Sequence, residues 1–175
     1  MPAVGEAAPT FALPDTEGVL HSPDGTKATV VVFTCNHCPY ALAWHDRIVE
    51  LARAYAAHGV STLAINPNDA ERYPRDSPEA MHARVRAGEF DGVPYLRDES
   101  QDIARAYDAK TTPDVFVLDA EGTLRYRGAP DADYEDPTQN AVYVRDALDA
   151  VLDGHSPQPA QTPPVGCSIK WKLQD

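Results

Sequence analysis

The chain has 175 residues, enough for one domain that buries its own core without disulfide staples, and its 15 Lys and Arg against 27 Asp and Glu give a net charge of −12. That charge repels phosphate, which argues against nucleic acid or an anionic membrane surface as a partner, and no apolar run approaches the length of a membrane span. The start, Met1-Pro2-Ala3-Val4-Gly5-Glu6, has neither a basic region nor an apolar h-region, so a soluble protein of the cytoplasm is expected, where three cysteines point to redox use rather than structural disulfides.

Residues 4–18 read as irregular, with Pro9, Pro14 and a turn at Glu17-Gly18, and Phe11 and Leu13 alternate as in a short edge strand. Lys27 to Thr34 is a predicted strand, and its run Val30-Val31-Val32-Phe33 is continuous rather than alternating, which places it at the sheet centre. It leads directly into Cys35-Asn36-His37-Cys38-Pro39-Tyr40. Beyond, Tyr40, Trp44, Ile48, Leu51, Ala52 and Tyr55 recur at helical spacing up to His58-Gly59. Two residues between the cysteines let the sulfurs meet across one helical turn, where a disulfide closes with little backbone movement. Unpaired N–H groups at a helix entrance favour a thiolate. Cys35 is therefore expected to be the nucleophile with a depressed pKa, and Cys38 the resolving thiol. His37 brings a proton close to the thiolate and adds to that effect. Asn36 is the expected N-cap, which puts Pro39 in the first turn, where its missing N–H costs nothing.

Val60 to Ile65 is a second strand, so strand, helix and strand form a βαβ unit with a parallel pair. The loop Asn66-Pro67-Asn68-Asp69 at its carboxyl end is expected near the thiols, since such loops line the ligand crevice of open α/β sheets. Ser77-Pro78-Glu79 reads as N-cap, Pro at N1 and acid in the first turn of a helix that runs to about Ala87 and stops at Gly88. A loop from Glu89 to Pro94, a brief strand at Tyr95-Leu96 and a short helix from Gln101 to Tyr107 follow. Pro113 opens the strand Val115 to Leu118, Ala120-Glu121-Gly122 turns it, and Thr123 to Arg127 returns antiparallel. On that strand Arg125 and Arg127 read as an exposed hairpin face. The acidic Asp131 to Gln139 reads as a solvated loop, without the spacing or glycine of a calcium loop. Val142, Val144, Leu148, Val151 and Leu152 mark a last helix ended by Gly154. Residues 1–154 are thus read as one domain and 155–175 as a Pro-rich tail packed on it. In the tail, Ile169, Trp171 and Leu173 alternate with Lys170 and Lys172, as in an edge segment laid on apolar surface with its charges outward. Prolines 157, 159, 163 and 164 hold the tail extended. It is expected to bring Cys167 back to the thiol pair as a third redox thiol.

The chain resembles the thioredoxin superfamily, in the branch shared by thioredoxin-like thiol-disulfide oxidoreductases and peroxiredoxins of the AhpC/TSA type. The likeness is carried by Cys35-Asn36-His37-Cys38, by Thr112-Pro113 and by the entry from Gly5 to Pro14, and it extends over nearly the whole chain. The segment Gly166-Cys167-Ser168-Ile169-Lys170-Trp171-Lys172 is similar to the tail of a bacterial group with the same Cys-Asn-His-Cys-Pro-Tyr sequence. The resemblance implies an α/β thioredoxin-like fold, a mixed central sheet flanked by helices, with an N-terminal extension and a C-terminal tail. It implies a cis Thr112-Pro113 bond against the thiols, leaving the Thr112 backbone free to pair with an extended substrate, with Asn36 and Pro39 beside it. Thioredoxins carry Trp before the first Cys and a buried Asp on the preceding strand. Here Thr34 stands before Cys35 and no acid lies between Ala28 and Thr34, so His37 is expected to handle part of the proton traffic.

The expected function is thiol-disulfide oxidoreduction, with a protein or small-molecule disulfide as substrate and a cellular thiol as electron donor. Cys35 attacks the substrate disulfide and Cys38 resolves the mixed disulfide. The alternative is a thiol peroxidase. Cys38-Pro39 matches the peroxidatic Cys-Pro of that family, although Cys35 stands where the family has Thr, and Cys35 or Cys167 would resolve the Cys38 sulfenic acid. A third reading takes Cys35, Cys38 and Cys167 with His37 or His21 as metal ligands. No metal or other cofactor is expected, because His37 between the two sulfurs has difficulty reaching a tetrahedral site that both would share.

Overall fold

A computed structural model describes residues 2–174. In chain order its elements are β1 (Leu13–Pro14), β2 (Leu20–His21), β3 (Ala28–Phe33), α1 (Pro39–Ala56), β4 (Val60–Asn66), a 3-10 turn at Pro74–Asp76, α2 (Pro78–Arg86), β5 (Tyr95–Arg97), α3 (Asp102–Ala106), β6 (Thr111–Thr112), β7 (Asp114–Asp119), β8 (Leu124–Gly128), a second 3-10 turn at Pro137–Gln139, α4 (Val142–Leu152) and β9 (Cys167–Ser168). The central sheet has the order β5-β4-β3-β7-β8. β3 pairs parallel with β4 and antiparallel with β7, so the mixed sheet turns from parallel to antiparallel at its middle strand.

β3 is central, as its unbroken apolar run predicts, and every one of its residues is buried. Alternate residues of a strand face opposite sides, and each side of β3 feeds its own core. Val30 and Val32 pack with Trp44, Ile48 and Leu51 of α1 and Val144 and Leu148 of α4. Val31 and Phe33 pack on the other face with Leu63, Ile65, Tyr107 and Phe116. This double layer brings the C-terminal end of β3 and the start of α1 to one edge of the molecule, where the thiols sit. α2 begins as predicted, with Ser77 Oγ accepting from the Ala80 N–H at 3.1 Å and Pro78 in the first turn.

Several expectations change. The short edge strand expected at Phe11 and Leu13 is instead the hairpin β1–β2, and Phe11 joins the core beside Tyr107. The acidic stretch 131–136 is not wholly a solvated loop. Its first residue, Asp131, is buried and accepts from Trp44 Nε1 (2.8 Å), Arg47 Nη1 (2.9 Å) and the Ala141 N–H (2.9 Å), because α1 and the start of α4 both bring donors that water cannot reach. Arg125 pairs with Asp119, and Arg127 lies over the Phe116 ring, so the hairpin face is tied down rather than free. The tail strand is β9, two residues before the predicted alternation. Ile169 reaches the core, but Leu173 is 74% exposed, so the alternating pattern overstates how far the packing continues.

Asp114, at the start of β7, is buried, and its Oδ2 accepts the Lys110 N–H at 2.9 Å. Burial pushes this carboxyl up to about 6 from the ordinary 3.8. The folded chain therefore binds that proton more tightly than the unfolded chain. The resulting stabilisation is complete below the unfolded value and is lost as pH rises through about 6. The gap corresponds to a change on the order of 3 kcal/mol. In urea unfolding between pH 4 and 7, Asp114→Asn is expected to lack this fall relative to wild type; parallel pH curves for the two proteins would contradict the assignment.

Candidate active site

Cys35 and Cys38 stand between the end of β3 and the start of α1, 1% and 0% exposed, and both are free thiols. Thr112, the last residue of β6, covers both sulfurs. Its hydroxyl lies 3.2 Å from Cys35 Sγ, and its carbonyl accepts from Cys38 Sγ at 3.2 Å. The Thr112-Pro113 bond is cis and lies against the thiols, as the resemblance implied.

The helix entrance falls two residues later than expected. α1 begins at Pro39 with Cys38, not Asn36, as its N-cap. The consequence is electrostatic. A shared proton donated by Cys35 holds the Cys38 thiol down to about 4; burial opposes this, while the Cys167 thiol and the N–H groups of Ala41 and Cys167 assist. The same hydrogen bond, burial and the neighbouring charge of Asp76 push Cys35 far up, against the Thr112 hydroxyl and the His37 N–H. The direction of these shifts favours ionisation of Cys38 over Cys35, opposite to the expected depression of Cys35. The N-terminal end of the helix macrodipole and its unpaired donors face the residue that caps the helix, and that residue is Cys38.

Asn36 serves elsewhere. Its N–H donates to Asp76 Oδ1 (2.7 Å) and its Nδ2 to the Arg75 carbonyl (2.8 Å). Its Oδ1 accepts from Arg84 Nη1 and the Tyr95 hydroxyl, each at 2.7 Å. Those bonds commit the side chain that was expected beside a substrate, whereas Pro39 is exposed. Asp76 is the residue that sequence reasoning missed. It is fully buried in the 3-10 turn after β4, and it accepts from Asn66 Nδ2 and Asn68 Nδ2, each at 3.1 Å. His37 Nδ1 lies 2.6 Å from Asp76 Oδ2, and the His37 ring stacks on Tyr73. A buried carboxylate is thus present beside the thiols after all, supplied by a loop instead of by β3. The signal available in the sequence was the expected proximity of the Asn66–Asp69 loop, since Asn66 and Asn68 are the two amides that hold Asp76.

Cys35, His37 and Asp76 present one ligand atom each within 4.8 Å of one another. The group assembled among the described residues differs from the set weighed from sequence, Cys35, Cys38 and Cys167 with His37 or His21: His37 is grouped with Cys35 and Asp76, and His21 is bonded to Asp15 at 2.8 Å on the β1–β2 hairpin. Of the six histidines, His45 is not a surface residue but is 9% exposed and bonded to the Glu89 carbonyl, where burial lowers its pKa. Arg125 and Arg127 do not approach the thiols. A cavity of about 300 Å³ lined by His37, Arg72, Tyr73, Pro74 and Arg75 opens beside the site.

The tail does return. β9 pairs antiparallel with β6, Thr112 against Cys167, and Cys167 packs against the Cys35, Cys38 and Ala41 cluster. The backbone edge of Thr112, expected to be free for an extended substrate, is therefore occupied by the chain's own tail.

This architecture is shared widely, and the chain takes the thioredoxin-like fold of its solved neighbours. A crystal structure of an uncharacterised conserved protein from Geobacillus kaustophilus is 41% identical and superposes with a TM-score of 0.90 over 100% of this chain and 95% of that one. Methylamine utilization protein MauD of Methylorubrum extorquens is 30% identical over 131 residues, 73% of this chain and 58% of that protein. The thiol:disulfide interchange protein DsbE of Allochromatium vinosum is 28% identical over 137 residues, 72% of this chain and 66% of that protein. The chain thus spans less than two thirds of the length of these two curated relatives. The family model matches residues 4–127, which run from the N-terminal extension through the thiols and Thr112-Pro113 to the end of the β7–β8 hairpin, and by that match the chain belongs to the AhpC/TSA family.

Proposed function

We propose that the protein is a thiol-disulfide oxidoreductase whose working pair is Cys35 and Cys38. The observation that carries this reading is the pair itself: two free, buried sulfurs at the N-terminus of α1, both within 3.2 Å of Thr112. Cys35 is the attacking atom because its sulfur is the one grouped with His37 and Asp76 within 4.8 Å, and His37 in turn lines the cavity. Cys38, the sulfur whose pKa is lowered, serves as the base once it has ionised. A proton hop from Cys35 to Cys38 delivers the Cys35 thiolate, which attacks the substrate disulfide and releases one substrate thiolate. Cys38 then loses that proton and attacks Cys35 Sγ in the mixed disulfide, so the second substrate thiol departs and the Cys35–Cys38 disulfide remains. His37, held by Asp76, stands where a departing thiolate needs a proton. A cellular thiol restores the dithiol.

Arg72 and Arg75 rim the cavity in a chain of net charge −12. Arg72 is paired with Asp69 at 3.0 Å, so Arg75 is the cation there that suits a disulfide carrying a carboxylate. The thiol peroxidase reading is favoured by one observation: the low-pKa sulfur is Cys38, directly before Pro39. In that case Cys38 attacks the hydroperoxide, an alcohol leaves, and Cys35 displaces water from the sulfenic acid to close the disulfide. Residues 1–154 form the domain of this proposal and 155–175 the tail that completes its site. Cytoplasmic residence belongs to the proposal as well, and a Cys35–Cys38 potential near that of thioredoxin, about −270 mV, would support it, whereas one near about −120 mV would indicate an oxidant.

The test compares reduction of glutathione disulfide and of insulin with reduction of hydrogen peroxide, with dithiothreitol as donor. The expected result is turnover of the disulfides well above the uncatalysed rate. Peroxide consumption without disulfide turnover would replace this reading with the peroxidase.

A further inference from the structure

The tail is fastened on both sides of Cys167. Before it, the Thr162 N–H donates to the Arg127 carbonyl at 3.0 Å, the Arg127 N–H donates to the Ala160 carbonyl at 3.2 Å, and the Thr162 hydroxyl meets the Tyr126 hydroxyl at 2.7 Å. After it, Ile169 is buried, the Lys170 N–H donates to Asn68 Oδ1 at 2.9 Å, and Arg105 lies over the Trp171 ring at 4.4 Å. Asn68 also holds Asp76, so the anchor of the tail and the carboxylate beside Cys35 share one residue. Between the anchors, Gly166 passes so close to β6 that a Cβ there would lie 2.3 Å from the Thr112 carbonyl oxygen. No other residue permits that approach, and the approach sets Cys167 beside the sulfur that the same carbonyl holds. Cys167 is half-buried, in contrast to the two enclosed thiols.

We propose that Cys167 is an internal exchange partner: in the oxidised protein its thiolate attacks Cys38 Sγ, the Cys35–Cys38 bond breaks, a Cys38–Cys167 bond forms, and the electron pair leaves on Cys35. The proton lost by Cys167 returns to the pair at Cys35 through solvent. One disulfide is exchanged for another, so no outside oxidant or reductant enters the step. The inference rests on the oxidoreductase reading, which supplies the Cys35–Cys38 disulfide. Its effect is to move the disulfide from beneath Thr112 to the partly open tail, within reach of a thiol donor, and to free Cys35 beside His37.

The ionisation of Cys167 fits this order of events. Burial and the neighbouring Cys38 sulfur push it up to about 11 in the reduced protein, while Lys170 opposes them. When Cys38 enters a disulfide its charge is gone, and one of the causes that hold Cys167 protonated goes with it. The tail thiol becomes more reactive only after the pair has been oxidised.

The experiment treats wild type, Cys167→Ser, Gly166→Val and Cys35→Ser with one equivalent of diamide per chain. Free thiols are then blocked with iodoacetamide in acid-quenched samples, and the disulfide peptides are mapped by mass spectrometry. Wild type is expected to contain both Cys35–Cys38 and Cys38–Cys167, with Cys35 alkylated in the second fraction. Cys167→Ser is expected to contain only Cys35–Cys38 and no alkylated Cys35. Gly166→Val, which keeps all three thiols but pushes the tail off Thr112, is expected to lose the Cys38–Cys167 peptide as well. Cys35→Ser is expected to form Cys38–Cys167 directly. Oxidised wild type with Cys35–Cys38 alone, together with Cys35→Ser lacking any Cys38–Cys167, would overturn the inference and leave the oxidoreductase reading standing. A Cys35–Cys167 bond in place of Cys38–Cys167 would overturn the stated direction of attack. Absence of the Cys35–Cys38 disulfide from Cys167→Ser would instead remove the oxidoreductase reading itself.

Discussion

Cys35→Ser and Cys38→Ser are each expected to cut disulfide turnover on the order of 10³-fold or more, as when one member of a set that acts as a unit is removed, but at different steps. With Cys38→Ser, Cys35 still attacks and the mixed disulfide accumulates, visible as a substrate adduct under non-reducing conditions. With Cys35→Ser no adduct forms through residue 35. The two variants also separate the causes of the charge distribution. In Cys35→Ser, Cys38 loses the hydrogen bond that contributes most to holding it near 4. Its alkylation transition is therefore expected to rise toward the value of a free thiol, about 8.5. In Cys38→Ser, Cys35 loses the largest cause that raises it, and its transition is expected to fall. The measurement is the rate of iodoacetamide reaction against pH, resolved by peptide. A Cys38 transition still near 4 in Cys35→Ser would assign the effect to the helix N-terminus and not to the shared proton.

Asp76→Ala is expected to be the most destabilising single change near the site. It strands the Asn36 N–H and the amides of Asn66 and Asn68, all buried donors that point at the carboxylate. Each stranded buried donor costs about 1–3 kcal/mol, and loss of a buried charged partner costs about 3–5 kcal/mol. The single-site cost is therefore taken as about 3–5 kcal/mol, a fall in melting temperature of roughly 6–20 °C for a chain of this size. Asp76→Asn keeps the shape and one acceptor, so its stability is expected to lie between wild type and Asp76→Ala. Both changes remove a negative charge that raises Cys35, so both are expected to move the Cys35 alkylation transition downward. Thermal unfolding followed by circular dichroism, beside the alkylation profile, checks the two effects independently. An Asp76→Ala protein that melts at the wild-type temperature would mean that water reaches the stranded amides.

The thiol pair between strand and helix was legible because its determinants are local. An unbroken β-branched run, two cysteines at one-turn spacing and a proline fit for the first turn all act within about a dozen residues. The capping of α2 by Ser77 is local in the same way. The error at Asn36 is instructive, because Asn36 satisfies the local rule for an N-cap and Cys38 makes no side-chain cap bond, so the choice was made by distant groups. Arg75, Asp76, Arg84 and Tyr95 claim the Asn36 backbone and amide, which leaves Cys38 to face the helix entrance.

A parallel βαβ core, a dithiol at the head of its helix and a proline-stiffened tail long enough to return were all readable before folding, because hydrophobic period, chain stiffness and side-chain chemistry are properties of short segments. That Asp76 supplies the buried carboxylate, and that Gly166 and Cys167 occupy the edge of Thr112, came from the folded arrangement alone. Each of those depends on groups far apart in the chain meeting where water is excluded. There a hydrogen bond or a neighbouring charge counts far more than in solvent, and the spacing of residues along the chain carries no record of it.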